Sequence, residues 1–311
     1  MSYQETDISW QVLRRIVRLW AGDAAELAEV KTLVGGCINT TLALTMKDGG
    51  RAVLKIAPHR VSRELAREAH QLEVLRNQGL PVPQVYNWHM GNLECPHSYV
   101  LMEFMEGMNL IHARQQAGPQ GMDQIQNHLA EIMIAIHSRT ADAYCRELPG
   151  EVQRFANWPE FYRHVYDPIW SDVEKSGELP PKLRKQIARI HEKLDKVLTH
   201  DDKPRLVHWD VWATNVLAAP DSSGNWRVTG LLDPNCKYAH AEAEIAYMEL
   251  FHTITPTFLK RYQEVYKLGP GYHQVRKWIY QLYPLLNHVH LFGSQYLKPL
   301  TAAMEKAAAA V

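Results

Sequence analysis

An excess of charge of either sign is missing from this chain of 311 residues: 34 Lys and Arg stand against 34 Asp and Glu. With a formal net charge of zero there is no global field to draw in nucleic acid or an anionic membrane, and neither is expected as a partner. Cysteine is scarce. The four present (Cys37, Cys95, Cys145 and Cys236) are far apart, with no C-x-x-C pair and no zinc-type Cys/His spacing. They read as reduced thiols. Long hydrophobic runs are also absent: the longest candidate, 283–292, carries Asn287, His288 and His290 and falls well short of the roughly 18 apolar residues of a membrane span. The first residues show no basic start followed by an apolar run, so they do not read as a secretion signal. A cytoplasmic protein without a membrane segment is expected.

Hydrophobic residues make up 46% of the chain, enough for a core without staples. Residues 7–22 predict a helix, with Val12, Ile16, Val17 and Trp20 at helical spacing. Three β-type runs follow at 29–34, 41–46 and 51–56. The last two are joined by Lys47-Asp-Gly-Gly50, a hairpin signal. A helix over 60–78 and strands over 84–88 and 98–104 complete a β-β-β-α-β-β pattern. After Gly107 the periodicity is mainly helical, at 122–138, 158–173, 183–198, 241–251, 257–267 and 273–297. The expectation is an α+β fold: a small antiparallel-sheet lobe over 1–106 with one helix, and a larger, mainly helical lobe over 107–311. The cleft between such lobes is the default ligand site.

Chemistry concentrates in Leu206-Val-His208-Trp-Asp210-Val-Trp-Ala-Thr-Asn215 and in Gly230-Leu-Leu-Asp233-Pro234. An apolar strand runs into a polar loop with one Asp and, five residues on, one Asn; a second apolar strand delivers another Asp. Asn215 and Asp233 are hard oxygen donors suited to Mg²⁺ with bound phosphates, and Asp210 beside them can orient and deprotonate a hydroxyl. Alone, Asp210 and Asn215 could simply cap a turn. The pattern gains force from parts in the order of a phosphoryl-transfer site. Lys55 lies in a strand where an ammonium can neutralise nucleotide phosphates, and Glu68 in the next helix can hold it. Gly35 and Gly36, between the first two strands, can let the backbone cover the phosphates.

These motifs resemble the aminoglycoside phosphotransferase/choline kinase superfamily, which shares the protein-kinase fold, and within it the fructosamine (ketosamine) kinases. The resemblance spans nearly the whole chain. Val34-Gly-Gly-Cys-Ile-Asn39 is similar to that family's glycine-rich loop. Arg67-Glu68-Ala69 resembles the superfamily's regulatory helix, and Tyr99-Val-Leu-Met-Glu103-Phe-Met105-Glu-Gly107 its interlobe hinge. Asn157-Trp158-Pro-Glu-Phe161-Tyr162 resembles a W-x-x-F-Y segment, His240-Ala-Glu242-Ala-Glu244-Ile-Ala-Tyr-Met-Glu249-Leu-Phe251 an H-x-E-A-D-L-A-x-x-E-L-F run, and Tyr280-Gln-Leu-Tyr283 a Y-x-L-Y segment. The resemblance implies ATP and Mg²⁺ as cofactors. Asp210 would be the catalytic base and Asn215 and Asp233 the metal ligands. Lys55, positioned by Glu68, would contact the α/β-phosphates, and the backbone of Glu103 and Met105 would bind adenine.

The catalytic loop departs from the family's H-G-D-L-W-x-G-N, with Trp209 and Thr214 in place of two glycines. Trp209 is expected to pack under the loop, the alternative being that it lines the acceptor pocket and stacks on a sugar. Glu244 replaces an Asp, a longer carboxylate whose hydrogen bonds would shift. Residues 240–311 hold five acidic residues against seven Lys and Arg, which favours a sugar or sugar-amine acceptor over a polycationic antibiotic. His288 and His290, at i and i+2, do not share a helix face and read as packing residues rather than metal ligands. The resulting expectation is an ATP-dependent kinase of a ketosamine, acting as a monomer or weak dimer. The alternatives are a kinase of an amino sugar, aminoglycoside or choline-like acceptor, and a nucleotide-binding pseudokinase. Cys37 either fills space in its loop or serves as a redox-sensitive thiol.

Overall fold

The computed structural model describes residues 8–33, 39–57, 63–91, 96–148, 150, 153–199 and 202–310. The chain divides into two compact units: Met1–Ala113 with Thr214–Asp221 and Val228–Pro234, and Arg114–Ala213 with Ser222–Arg227 and Asn235–Val311.

In the first unit, α1 (Trp10–Ala21) starts where Ser9 accepts a hydrogen bond from the Val12 N–H at 3.3 Å, and it stops at Gly22, whose φ of 88° ends the spiral. Its Leu13, Ile16 and Val17 are buried, one helical stripe. An antiparallel sheet follows, in the order β1 (Leu27–Thr32), β2 (Thr40–Met46), β3 (Arg51–Ala57), β5 (Ser98–Glu103), β4 (Val85–His89), with α2 (Arg63–Asn77) between β3 and β4 in sequence. The β2–β3 turn forms as its sequence predicts: Gly49 takes φ 91° and Asp48 accepts from the Gly50 N–H at 2.9 Å. Alternation then decides what faces where. Leu42, Leu44, Met46, Ala52, Leu54 and Ile56 pack with α1 into one buried cluster. The two-residue period turns Lys55 to the opposite face of the sheet.

Short pieces from later in the chain complete this unit. β6 (Met108–Asn109), β9 (Val216–Pro220) and β10 (Trp226–Leu231) form a second sheet in the order β10-β9-β6, with the part of β10 from Val228 onward counted in the first unit. α3 (Leu110–Gln116) leads out of it. Where Gly107 passes this sheet, a Cβ would lie 2.5 Å from Thr229 Oγ1 and 3.1 Å from the Ala218 carbonyl, so only glycine fits.

The second unit is mainly helical: α4 (Gly118–His137), α5 (Trp158–Ser176), α6 (Pro181–Val197), α7 (Ala241–Leu250), α8 (Pro256–Tyr262), α9 (Lys277–Phe292) and α10 (Leu297–Ala310). β7 (Cys145–Arg146), β8 (Arg205–Val207) and β11 (Lys237–Ala239) pair antiparallel with β11 central. The W-x-x-F-Y segment opens α5, capped by Asn157, and its Trp158, Phe161 and Tyr162 are all buried. Trp158 Nε1 donates to the Tyr280 hydroxyl at 3.0 Å and ties α5 to α9. The helix expected over 273–297 is regular only as α9, and α10 beyond it was not expected. A π-helical turn at Tyr272–Arg276 precedes α9, and Gly293 at φ 81° separates α9 from α10. α8 ends earlier than expected, at Tyr262, and turns follow.

Candidate active site

Within the first unit, strand alternation and helix α2 bring Lys55 and Glu68 together. The ammonium lies 2.6 Å from Glu68 Oε1 and also bonds Asp233 Oδ1. Lys55 and Glu68 are nearly buried, with side chains 15% and 12% exposed, whereas the Asp233 carboxylate is 41% exposed. One cation between two carboxylates leaves local negative charge, which suits a further cation. Asp233 closes β10 in a left-handed conformation, φ 58°, just before Pro234. Asn215 is buried, and its carbonyl accepts from the Leu232 N–H at 2.9 Å, so the segments bearing Asn215 and Asp233 are fastened side by side. An amide oxygen next to a half-exposed carboxylate is a donor set that fits Mg²⁺, which takes one or two protein oxygens plus phosphates and water.

At the end of β5, the Glu103 N–H is taken by the Gln84 carbonyl at 2.8 Å, so an adenine could use only the Glu103 carbonyl. Its carboxylate bonds Arg76 at 2.8 Å and the Gln84 N–H at 3.0 Å. Met105 packs against Gly230, where an added Cβ would come within 3.2 Å of its Cε. Gly35, Gly36 and Cys37 lie outside the described residues.

The second unit carries the Asp210 loop. Leu206, Val207 and His208 are buried at the end of β8; Trp209 then takes φ 70°, a conformation costly for a large side chain. The buried Glu244 carboxylate braces the turn, accepting from the His208 N–H at 3.3 Å and the Trp209 N–H at 2.5 Å. Glu244 is held by His137 Nε2 at 2.8 Å, and His137 Nδ1 by the Tyr262 hydroxyl at 2.6 Å. With the ring proton on Nε2 facing the carboxylate, Nδ1 accepts from the phenol and every group is satisfied. The Tyr247 hydroxyl donates to Asp210 Oδ1 at 2.6 Å. Burial pushes the His208 imidazole down to about 4, against a smaller opposing pull from Glu244. Its Nδ1 accepts weakly from the Asp210 N–H at 3.4 Å.

Trp209 is half-buried. Its indole hydrogen-bonds the Tyr283 hydroxyl, with ring centroids 6.2 Å apart, and the ammonium of buried Lys237 lies 4.7 Å from its centroid. His288, lowered in proton affinity chiefly by burial, donates from Nδ1 to the Pro284 carbonyl at 2.7 Å. Among the described residues no group of three or more His, Cys, Asp or Glu side chains is placed to hold a metal ion.

Sequence reasoning singled out Asp210 and marked Glu244 as a departure from the family, but it did not identify Glu244, Tyr247, His137 and Tyr262 as the residues that brace the Asp210 loop. Glu244 and Tyr247, three apart, share one face of α7, a spacing that could have linked them. Nothing local marks His137 or Tyr262. A separate cavity of about 1080 Å³, lined in part by Tyr144, Asn157, Arg163, Asp195, Asp202 and Arg205, includes no residue of the Asp210 loop. Its Arg163 and Arg205 are paired with Asp195 and Asp202.

A probable ketoamine kinase of Klebsiella aerogenes is 28% identical over 315 residues, covering 96% of this chain and 99% of that protein. The crystal structure of a candidate fructosamine-3-kinase from Thermobifida fusca superposes with a TM-score of 0.75 at 24% identity, covering 94% of this chain and 98% of that one. A thermostable mutant of the aminoglycoside phosphotransferase APH(4)-Ia, in ternary complex with ADP and hygromycin B, superposes with a TM-score of 0.66 at 16% identity, covering 95% and 96%. These likenesses establish an α+β, kinase-like fold. The profile of the fructosamine kinase family matches residues 9–310, and the chain belongs to that family.

Proposed function

We propose that this protein is an ATP-dependent kinase that phosphorylates a hydroxyl of a ketosamine, a sugar-amine adduct of the fructosamine or ribulosamine type. The observation that carries the reading is Lys55, held at once by Glu68 and Asp233. An ammonium anchored in this way is a fixed counter-charge for nucleotide phosphates. In this reading residues 1–106 cover the nucleotide and 107–311 supply the catalytic loop, metal ligands and acceptor site. Lys55 contacts the α/β-phosphates. The backbone at Gly35 and Gly36 covers them, and the Glu103 carbonyl and the Met105 N–H meet adenine. Asn215 and Asp233 hold Mg²⁺, which when bound supplies positive charge to the phosphate oxygens. Asp210 orients the acceptor hydroxyl and takes its proton as the new O–P bond forms and the bond to ADP breaks. Phosphoryl transfer leaves little covalent work for the protein, so positioning and charge neutralisation dominate.

No helix among the described residues is long and apolar enough to cross a membrane. In our reading the protein acts in the cytoplasm on a small sugar-amine, as a monomer or weak dimer.

The test is an ADP-release assay with Mg-ATP against fructosamine and ribulosamine amino acids, free sugars, amino sugars, choline and aminoglycosides, with wild type beside Asp210→Asn. Selective turnover of a ketosamine, lost in the variant, is expected. Turnover of another acceptor class alone would move the substrate, and full activity in Asp210→Asn would remove the base from the mechanism.

A further inference from the structure

Helix α7 reaches the Asp210 loop through two side chains one turn apart. Glu244 holds the backbone N–H groups of His208 and Trp209, and Tyr247 meets the Asp210 carboxylate itself at 2.6 Å. We propose that Tyr247 is a positioning residue: its hydroxyl holds Oδ1 of Asp210 and thereby turns Oδ2 toward the acceptor hydroxyl. This inference rests on Asp210 acting as the base.

A carboxylate has two equivalent oxygens, and rotation about its terminal torsion exchanges them. A base free to rotate spends time out of line with the proton it must accept. One short hydrogen bond to an anionic oxygen removes that freedom, and such charge-assisted O–H···O bonds are among the strongest in proteins. The phenol is itself well placed to do this. Its ring packs on Phe251 with centroids 4.8 Å apart, and Phe251 on His288 at 5.0 Å, so neighbouring rings set where the phenol oxygen sits. Burial first, then the Asp210 charge, keep the phenol protonated, hence a donor, throughout the neutral range. The same hydroxyl is spent on Asp210 rather than offered to a substrate. Tyr247 therefore contributes to the transition state without contributing to acceptor binding.

The experiment is steady-state kinetics of Tyr247→Phe, which keeps the ring and its packing, on whichever acceptor the wild type turns over. A fall in kcat of about 10- to 100-fold is expected, with KM for acceptor and ATP within about twofold, because a small misplacement of a reacting group costs up to about two orders of magnitude. An unchanged kcat overturns the proposal. A loss confined to acceptor KM also overturns it, since the hydroxyl would then be touching substrate. A second readout needs no acceptor: a downfield hydroxyl-proton resonance is expected in the wild type, absent in Tyr247→Phe and shifted upfield in Asp210→Asn. A resonance missing from the wild type, or indifferent to Asp210→Asn, overturns the proposal. If no ketosamine is turned over, the substrate reading fails, and the resonance still decides whether Tyr247 holds Asp210.

Discussion

His137 and Glu244, 107 residues apart in the chain, meet at 2.8 Å with neither side chain exposed to solvent. The carboxylate at this contact also carries the two N–H groups that shape the loop before Asp210. Deleting one member of a buried, hydrogen-bonded charged set leaves the remainder uncompensated, typically at about 3–5 kcal/mol. His137→Leu is expected to lower stability by roughly that amount, seen as a lower urea midpoint at unchanged slope. Glu244→Gln should reduce kcat as well, because an amide can accept but its NH₂ repels the N–H donors it faces. A His137→Leu protein as stable as wild type would mean that the contact carries no strain-free load of this kind.

Acid should weaken the fold through His208. Its imidazole is neutral in the folded protein down to about pH 4, while in the unfolded chain it titrates near the ordinary 6.5. Above pH 6.5 neither state is protonated and the full stability is present. As pH falls from 6.5 to 4 the unfolded chain takes up a proton that the folded one refuses, and roughly 3 kcal/mol is lost before the effect levels off. His128 and His164, also lowered by burial, add in the same direction. Urea denaturation across pH 4–7 measures the slope. If His208→Gln leaves that slope unchanged, the sensitivity belongs to other groups.

Trp209→Gly sets two effects of similar size against each other. A left-handed backbone at a tryptophan costs about 1–2 kcal/mol, which glycine relieves. The indole's contacts with Tyr283 and Lys237 contribute about 1–3 kcal/mol together. Stability is therefore expected to change by about 1 kcal/mol or less, and ketosamine turnover to persist with a shifted acceptor KM. A loss of more than about 3 kcal/mol on chemical denaturation would show that the indole is an integral part of the core.

Gly107→Ala should be far more damaging. The site combines φ 128° with a Cβ that would overlap Thr229 Oγ1 and crowd the Ala218 carbonyl, which belongs to the sheet and cannot give way cheaply. A loss of about 2 kcal/mol or more is expected in thermal denaturation. Pairing the change with Thr229→Ala should recover part of it, and no recovery would place the strain in the backbone alone.

The parts of the molecule legible from sequence are those written in short repeats. The hairpin over β2 and β3 showed itself through alternation and Asp48-Gly-Gly, and α1 through its single apolar stripe. Lys55 and Glu68 could be paired on paper because strand and helix periods are simple and their separation is short. The two-residue strands β6 and β7 have no period to read. The helix expected to run to 297 ends at Phe292, before Gly293 at φ 81°, and α10, starting at Leu297 in the Ala-rich end, was not expected. The bracing of Asp210 was hidden for a different reason. His137, Tyr262 and Glu244 come from three helices and meet only through tertiary packing, with no spacing rule to connect them.

The placement of Lys55 ties the position of a nearly buried ammonium to a surface turn. On a strand, neighbouring side chains point to opposite faces, and a slip of one residue exchanges the two sets completely. Were β3 to shift one place against β2, the ammonium would be driven into the apolar layer beneath α1 and a Leu or Ile would face Glu68 and Asp233 instead. Asp48, Gly49 and Gly50 lie at the far end of β3 from Lys55, yet by fixing where β3 begins they set the parity of the strand. An ammonium and a hydrocarbon at that spot differ by a single step in counting.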